Sequence, residues 1–530
     1  MTTTIRQIQL WFSDQPVTPL HSPVWPDDLA LLATPGLLSA PLDRTLPLPE
    51  GNQLHLTPEH ITLRKAIDAR FPLFFCLHHD TLLIGDRWLW LQRQTGWREW
   101  DLPHLAYFLC REETQLRQSP LKGILQLFNG EQLRLQRQGG RMDSSMHEVL
   151  DCLIPQDPPG DLAQGLQDSL ATRLGKQGAL LEFSGGLDST ALLLSARALS
   201  IPVQTVTAWD SQSSAPDDRR HAQQCAVRLG VSQQLIDLAH IDCMPLHTTL
   251  PANHPSMMFL ALGYEQSLLD HCHGASSLPH LNGHGGDHLF LASPPVASVL
   301  EAPAAQREDT LRRLAALYGL PLLSLRFKLL QLQWQTLRGR AEMPDDQTWQ
   351  SNGGSLRLQR LARQAESWRQ QPGMQTLTLM QHWRATLLFQ LAQELSHHRL
   401  RDGCTRVVFP FFDRAILRAA HALPAWQSFD AQHSRLALRR ALYQRYREPG
   451  LWRQSKGHTT AMVLRALNRH HQALAELIRE GWLVRQGLLS WPALEAELQR
   501  QRYGIGDISP LLMKVIAVER FLQQASRELT

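Results

Sequence analysis

The sequence predicts an α/β fold with two parts: a β-rich N-terminal domain, and a larger domain that begins with a parallel sheet and becomes largely helical toward its C-terminus. Three observations support this prediction. Short apolar runs separated by turn residues occur before residue 150, strands alternate with helical patterns between residues 178 and 238, and helical patterns dominate from about residue 255 onward. Alternating strands and helices are typical of parallel sheets, whereas closely spaced short strands are typical of antiparallel ones.

In the N-terminal domain, apolar runs at residues 74–77, 81–85 and 88–91 are separated by Asp or Gly residues. Such spacing predicts a series of antiparallel strands. Residues 120–131 predict a further strand that ends in an Asn-Gly turn.

The boundary between the two domains is predicted from a change in composition. Residues 154–160 contain three prolines and one glycine, so neither a helix nor a central strand can continue through them. We therefore predict a linker at residues 151–162, which separates an N-terminal domain of residues 1–150 from a second domain of residues 163–530.

The second domain begins with the alternation that βαβ units require. We predict strands at residues 178–183, 203–208 and 233–238, and helices at residues 189–199 and 217–229. Ligands of parallel sheets bind beyond the carboxyl ends of the strands. The segment that directly follows the first of these strands is therefore the first candidate for a binding site.

That segment, Ser-Gly-Gly-Leu-Asp-Ser, connects the strand to an Ala- and Leu-rich helix. Its two glycines allow successive backbone N–H groups to form an anion-binding turn, and the positive end of the helix dipole adds to the attraction for phosphate. The serines can donate hydroxyl hydrogen bonds, while the aspartate suits the Mg²⁺ that accompanies phosphates. The segment lacks the lysine and the spacing of the G-x-x-x-x-G-K-[ST] loop. The predicted nucleotide-binding residues are Ser184, Gly185, Gly186, Leu187, Asp188 and Ser189.

A second glycine-rich segment, residues 282–288, lies about a hundred residues further along the chain. Its Asp287 can join Asp188 in holding Mg²⁺ against the phosphates and in neutralising charge as pyrophosphate leaves. Because Mg²⁺ prefers oxygen ligands, His284 and His288 are less suited to this ion. His284 is more plausible as a group that faces the substrate.

Composition limits the class of protein. The chain has 530 residues, 43% hydrophobic and 19% charged, with a formal charge of +4, which does not call for a nucleic-acid partner. No apolar run is long enough to span a membrane, and the N-terminus lacks a secretory signal, so we expect a cytoplasmic protein. Seven scattered cysteines without a C-x-x-C pair indicate reduced thiols.

Basic residues cluster in two regions of predicted helix. Such clusters are usually solvated helix faces, and the alternative is a surface that attracts an acidic peptide or RNA. The clusters are Arg357, Arg360, Arg363 and Arg369 in the first region, and Arg435, Arg439, Arg440, Arg445 and Arg447 in the second.

The S-G-G-x-D-S segment between a strand and a helix resembles the pyrophosphate (PP) loop of the ATP pyrophosphatases, which include asparagine, GMP and β-lactam synthetases and tRNA-thiolating enzymes. These enzymes form adenylates and release pyrophosphate. The resemblance implies ATP and Mg²⁺ as cofactors and a PP-loop synthetase domain.

Over nearly its whole length the chain resembles the asparagine synthetase family. Residues 283–288, Gly-His-Gly-Gly-Asp-His, stand where that family has Gly-Glu-Gly-Ser-Asp-Glu, so the aspartate is kept and both glutamates are lost. Residues 408–413 are similar to its Arg-Val-Pro-Phe-Leu-Asp, and residues 451–457 to the segment with its active-site lysine. The resemblance therefore implies that Lys456 is catalytic and stabilises charge in adenylation or in collapse of the tetrahedral intermediate.

The N-terminal domain resembles the family's glutaminase-type domain, an α+β domain of the Ntn-like class, over residues 70–140. That domain uses an N-terminal cysteine as nucleophile, with its own α-amine as base. Here position 2 is Thr2 and the first cysteine is Cys76. We therefore expect a degenerate domain that does not release ammonia from glutamine.

Two relatives use an asparagine-synthetase core without glutaminase activity: β-lactam synthetases and lasso peptide cyclases. In the former, a Tyr at the position of His284 acts with a Glu as base for the attacking amine, and Glu394 has a suitable chain position for that Glu. A Glu in such a helix is more often part of a buried salt bridge or a surface residue. The Gly-His-Gly-Gly-Asp-His motif, the length and the divergent N-terminal domain look most like lasso peptide cyclases of Gram-negative bacteria.

This resemblance predicts an ATP-dependent macrolactam synthetase. It would adenylate an Asp or Glu side chain of a precursor peptide and close an amide with the peptide's N-terminal amine, in cooperation with a leader-binding protein and a leader peptidase. Two alternatives remain: a small-molecule amide ligase of the asparagine or β-lactam synthetase type, and a non-catalytic or RNA-directed adenylating protein.

Overall fold

Three β-sheets organise the part of the chain that the computed structural model describes. Two of them lie in the N-terminal domain and the third forms the centre of the second domain. The predicted α/β fold class is confirmed. The described residues are 5, 7–11, 44–111, 113–139, 141–154, 160–176, 178–212, 218–248, 252–275, 278–337, 356–396, 407–454, 460–505 and 508–529.

The two N-terminal sheets pack around a shared apolar core that includes Leu54, Leu63, Phe75 and Ile84. One sheet has the order β1-β6-β5-β7, in which only the β1-β6 pair is parallel, and the other has the antiparallel order β2-β3-β4-β8-β9. The strands are β1 Gln7–Trp11, β2 Arg44–Pro47, β3 Gln53–Leu56, β4 His60–Arg64, β5 Phe74–His78, β6 Thr81–Gly85, β7 Leu125–Gln126, β8 Gln132–Gln136 and β9 Met142–Ser145.

One predicted strand of this domain is wrong. Residues 88–91 lie in a helix, Trp88–Thr95, rather than in a strand. The side chains of Trp88, Leu89, Leu91 and Gln92 are buried, which is the spacing of one helix face. An apolar run of four residues cannot distinguish the two structures. The strand predicted within residues 120–131 is shorter than expected, since β7 comprises only Leu125–Gln126 and ends before the Asn-Gly turn.

The second domain contains a five-stranded parallel sheet with the order β12-β11-β10-β13-β14. The predicted strands and helices between residues 178 and 238 are all present within one or two residues of the expected bounds. The structure adds two short strands from distant parts of the chain beside β10, which places β10 in the middle of the sheet. The strands are β10 Ala179–Glu182, β11 Val203–Trp209, β12 Gln233–Asp237, β13 His280–Leu281 and β14 Val407–Val408.

Helices flank this sheet and form most of the C-terminal part, as predicted. Several begin at a side-chain cap, such as Asp101 of α2 and Asp161 of α4, and Thr378 and Gln381 form a capping box at the start of the helix that carries Glu394. The α-helices are α1 Trp88–Thr95, α2 Leu102–Cys110, α3 His147–Leu153, α4 Leu162–Leu174, α5 Leu187–Ala198, α6 Asp218–Leu229, α7 Leu262–Ala275, α8 Gly286–Leu289, α9 Ser298–Glu301, α10 Arg307–Tyr318, α11 Leu322–Leu337, α12 Leu356–Ala362, α13 Leu379–Leu395, α14 Arg414–His421, α15 Leu436–Tyr446, α16 Thr460–Arg469, α17 His471–Arg479, α18 Trp482–Arg485, α19 Trp491–Arg502 and α20 Pro510–Leu529.

The predicted linker lies between α3 and α4. Helix α3 ends at Leu153 and α4 begins at Leu162, with Asp161 as its N-cap. Residues 155–159 lie outside the described part of the chain. The exact domain boundaries remain a prediction.

The two domains share a hydrophobic core. Phe74 and Trp88 of the N-terminal domain belong to the same buried cluster as Leu358 and Ile516 of the second domain. The Trp88 ring lies 6.3 Å from the ring of Phe521 in α20, centroid to centroid. The N-terminal domain is therefore packed into the rest of the molecule.

The described cysteine thiols are free and buried. Burial raises the pKa of Cys76 and of Cys152 to about 12, and that of Cys225 to about 11. At neutral pH these thiols are protonated and poor nucleophiles. The prediction of reduced thiols is confirmed for Cys76, Cys110, Cys152, Cys225 and Cys243, whereas the side chains of Cys272 and Cys404 lie outside the described residues.

In the described part of the chain, no helix combines the length and the apolar composition that crossing a bilayer requires.

Candidate active site

The predicted nucleotide loop lies at the carboxyl end of the central strand, between β10 and α5. Gly185 has a φ of +67°, and a Cβ at this position would lie 2.9 Å from the backbone nitrogen of Ala222. Only glycine fits both constraints. The loop closes on itself, because the backbone N–H of Gly186 donates to Ser184 Oγ at 3.2 Å and the hydroxyl of Ser189 donates to the Gly186 carbonyl at 3.3 Å.

The second glycine-rich loop follows β13, the neighbour of β10, and contacts the first loop directly. A Cβ on Gly283 would lie 3.2 Å from the Cβ of Asp188, and one on Gly286 would lie 2.2 Å from Asp188 Oδ1. Two of the glycines are thus required by the close approach of Asp188. The structure brings together the two loops that the sequence predicts to act as a pair.

Arg435 joins the two carboxylates predicted to bind Mg²⁺. Its Nη1 donates to Asp188 Oδ2 at 2.8 Å and also to Asp287 Oδ1. The side chains of Arg435, Asp188 and Asp287 are 12%, 17% and 35% exposed. The interpretation of the second arginine cluster as a solvated helix face is therefore wrong for Arg435, and also for buried Arg439, whose pKa is lowered to about 10 by burial and by the nearby charge of Arg435.

This arrangement fits a divalent cation. One nitrogen of Arg435 occupies a position within hydrogen-bond distance of an oxygen from each carboxylate, so the two loops already converge on a single cationic centre. Carboxylate oxygens are suitable ligands for Mg²⁺, which keeps its remaining positions for water and phosphate. Asp188 and Asp287 would hold the ion, and Arg435 would then be released toward the phosphate charge.

A second group of polar side chains lies where the second glycine-rich loop meets α13. His284 Nε2 lies 2.6 Å from Glu394 Oε2, and His288 Nε2 lies 3.4 Å from the same oxygen. Burial alone would lower the pKa of His284, but its hydrogen bond to Glu394 and the carboxylate charge raise it. Burial would raise the pKa of Glu394, but hydrogen bonds from His284 and His288 hold it well below its ordinary value. The structure thus favours a charged carboxylate beside an imidazole that readily accepts a proton.

A hydrogen-bond network beneath the loop holds His284 in place. The backbone N–H of His284 donates to Asn282 Oδ1 at 2.7 Å, and Asn282 Nδ2 donates to Glu182 Oε1 at 2.7 Å. Glu182 also accepts from the hydroxyl of Tyr264 at 2.9 Å and lies 3.2 Å from His280 Nε2. Glu182 is the last residue of β10, so the network ties His284 to the centre of the sheet.

Arg453, three residues before the predicted catalytic lysine, contacts the nucleotide loop. Its Nη1 donates to the carbonyl of Ser184 at 3.1 Å. Lys456 itself lies outside the described residues, so its role remains a prediction.

Sequence reasoning did not single out Arg435, Arg453 or the contact of His288 with Glu394. For Arg453 a signal was present, since it belongs to the segment quoted for Lys456. For Arg435 there was none, because an arginine at the start of an arginine-rich helix has the pattern of a surface residue.

The asparagine synthase family model matches residues 161–523. This match covers more than half of the chain, and the chain belongs to the asparagine synthase family. It is thus an ATP-dependent ligase of the amide-forming class. None of the curated proteins matches the chain.

Proposed function

We propose that the protein is an ATP-dependent macrolactam synthetase of the lasso peptide cyclase type. The observation that carries this proposal is the 2.6 Å contact between His284 and Glu394, next to the loop pair that contains Asp188 and Asp287. A carboxylate-activating site and a base for an attacking amine would then lie side by side. Both belong to a chain whose Gly-His-Gly-Gly-Asp-His motif resembles that of lasso peptide cyclases.

The first half-reaction activates a carboxylate. The triphosphate of ATP binds at Ser184, Gly185, Gly186 and Ser189, and an Asp or Glu side chain of the peptide attacks the α-phosphorus. The bond from that phosphorus to the β-phosphate oxygen breaks, and pyrophosphate leaves. Mg²⁺ held by Asp188 and Asp287 would neutralise phosphate charge. Arg435 and Arg453 are placed to add positive charge at the same loop.

The second half-reaction closes the ring. The peptide's N-terminal amine attacks the acyl carbon of the adenylate, and a proton must leave the nitrogen as the amide forms. In neutral His284 the ring hydrogen is on Nε2 and faces Glu394, so the other ring nitrogen accepts the proton of the amine, and the negative charge of Glu394 stabilises the resulting imidazolium. The bond between the acyl carbon and the AMP oxygen then breaks. Lys456 is proposed to stabilise the charged intermediate.

Access to the site is compatible with a peptide substrate. The side chains of His284, Asp287 and Glu394 are each about one third exposed, at 36%, 35% and 30%. A precursor peptide can therefore reach the base and the metal ligands from solvent. The partners proposed for the protein are this precursor, a leader-binding protein and a leader peptidase.

The test is incubation of the protein with ATP, Mg²⁺ and candidate precursor peptides whose leader has been removed. We expect AMP, pyrophosphate and a peptide that has lost one water, measured by mass spectrometry. AMP formation with aspartate or another small carboxylic acid, and none with peptides, would instead favour a small-molecule amide ligase. The control is Asp188→Asn, which removes a predicted metal ligand.

Substitution of the base should separate the two half-reactions. In His284→Ala and Glu394→Gln, adenylation should continue while ring closure slows, so AMP forms together with linear peptide. Lys456→Ala should lower product formation by about a hundredfold or more, the usual scale for one preorganised electrostatic contact. Cyclisation near the wild-type rate in all three variants would show that these roles are wrongly assigned.

A further inference from the structure

We propose that His284, His288 and Glu394 form a binding site for a zinc-like divalent metal ion, distinct from the Mg²⁺ site of Asp188 and Asp287. Each of the three side chains offers one ligand atom, and these atoms all lie within 4.8 Å of one another. Two imidazoles and one carboxylate are a common ligand set for zinc with an open coordination position.

The distances suit coordination after a small movement. Zinc bonds of about 2.0 Å in a tetrahedral site place two ligand atoms about 3.3 Å apart. His288 Nε2 and Glu394 Oε2 are 3.4 Å apart, which already fits. His284 Nε2 and Glu394 Oε2 are 2.6 Å apart, so this pair must open when a metal replaces the shared proton.

The backbone holds two of the ligands in place. His284 lies in the loop before α8 and His288 lies within α8, and their ring centroids are 5.3 Å apart. Glu394 lies near the end of α13, a 17-residue helix. Helices thus supply two of the ligands, and the hydrogen bond from the His284 backbone to Asn282 holds the third, which lowers the conformational cost of binding.

Ligand chemistry decides which metal binds. Imidazole suits Zn²⁺, Co²⁺, Ni²⁺ and Cu²⁺, whereas Mg²⁺ prefers oxygen ligands, so the two sites of this protein select different ions. The side chains of His284, His288 and Glu394 are 36%, 18% and 30% exposed, which leaves a path for the metal.

The Nδ1 of His288 is buried and makes no hydrogen bond with the described residues. A hydrogen bond from this nitrogen is typical of histidines in tight metal sites, and it is missing here. We therefore expect moderate affinity.

Metal binding has a consequence that rests on the proposed function. A metal at this site replaces the hydrogen between His284 Nε2 and Glu394, so neutral His284 then carries its hydrogen on the other ring nitrogen and cannot take the proton of the attacking amine. Zinc should therefore inhibit ring closure while adenylation, which uses the separate magnesium site, continues.

The binding test uses the full-length protein with excess MgCl₂ and no other metal. Titration with Co²⁺ should produce the visible absorption bands of a tetrahedral or five-coordinate site. Equilibrium dialysis with Zn²⁺ should give one bound ion per chain. His288→Ala should weaken binding at least tenfold, and Glu394→Gln should do the same. His240→Ala, which removes an exposed histidine remote in sequence from the cluster, should bind like the wild type.

A separate assay distinguishes failure of this inference from failure of the proposed function. Equal zinc binding by the wild type, His288→Ala and Glu394→Gln would overturn the metal site, whatever reaction the protein catalyses. Zinc binding that requires His288 and Glu394 but does not affect any peptide-dependent reaction would support the metal site and contradict the proposed base role. Melting curves of each variant without metal confirm that loss of binding does not reflect unfolding.

Discussion

At the scale of single residues, the two carboxylates that Arg435 contacts are expected to be essential for pyrophosphate release. Asp188→Asn and Asp287→Asn should each reduce ATP-dependent pyrophosphate release roughly a hundredfold or more, because each removes a charged group that is proposed to hold Mg²⁺. The fold should persist, since the amide can still accept a hydrogen bond from Arg435. Pyrophosphate release is measured in purified protein, with Asp270→Asn, a change at an exposed carboxylate, as control. Turnover at the wild-type rate in either site variant would contradict the two-carboxylate assignment.

Lys65 is a fully buried lysine in the N-terminal domain, and its side-chain nitrogen makes no hydrogen bond with the described residues. Burial lowers its pKa to about 7, although the charges of Glu50 and Glu131 oppose this effect. Its ordinary value is 10.5, so between these two pH values the unfolded chain binds more protons than the folded protein. The contribution of Lys65 to the free energy of unfolding should therefore increase as pH rises from about 7 to about 10.

The Lys65→Met variant tests this expectation. The difference in free energy of unfolding between the variant and the wild type, measured by urea denaturation, should favour the variant most near pH 7 and shrink toward pH 10. Because other groups titrate in both proteins, only this difference reports on Lys65. A difference that stays constant with pH would mean that Lys65 keeps its ordinary pKa in the folded protein.

At the scale of elements, the two glycine-rich loops depend on each other. Gly286→Ala places a methyl group where it would lie 2.2 Å from Asp188 Oδ1, so the Asp188 carboxylate must move or the two loops must separate. We expect at least a hundredfold loss of pyrophosphate release with little change in melting temperature. Gly160→Ala is a matched control, because its added Cβ would only touch Ala419 at 3.8 Å. Full activity of Gly286→Ala would show that the contact between the loops is not needed.

The elements also show what could be predicted from sequence. The alternation of strands and helices between residues 178 and 238 is predicted correctly, because each element there is long enough to show the spacing of its apolar residues. The strand predicted at residues 88–91 is wrong, because four apolar residues are too few to show such a spacing. The pairing of Asp188 with Asp287 was foreseen from residue types, while the position of Arg435 depends on packing between segments about 150 residues or more apart, for which local sequence contains no signal.

At the scale of the whole molecule, the N-terminal domain is part of one packed body. Asn253 Nδ2 donates to the carbonyl of Asp86 across the two domains at 3.0 Å, and buried Arg117 donates both to Glu131 of its own domain and to Gln371 of the other. Removing the N-terminal domain would expose the apolar side chains of the second domain that pack against Trp88, such as Phe521. It would also leave Asn253 and Gln371 without these hydrogen-bond partners.

A fragment of residues 160–530 should therefore be poorly soluble and should bind a hydrophobic dye more strongly than the full chain. Dye fluorescence and size-exclusion chromatography at equal concentrations measure both properties. A fragment that is monomeric and melts cooperatively at the wild-type temperature would show that the shared core is dispensable for the second domain.

The order of strands in the parallel sheet has a consequence for how the protein is made. The nucleotide loop leaves the ribosome early, but Glu394, Arg435 and Arg453 follow much later, and β14 is added to the sheet from residues 407–408. At about 5–20 residues per second, the roughly 270 residues between Ser184 and Arg453 take tens of seconds to synthesise. During this interval the nascent chain carries the loop at Ser184 without the late segments that contact it in the folded protein. Because Arg435 and Arg453 are proposed to act on the phosphates, we expect ATP consumption to begin only after the segment around Arg453 has been synthesised.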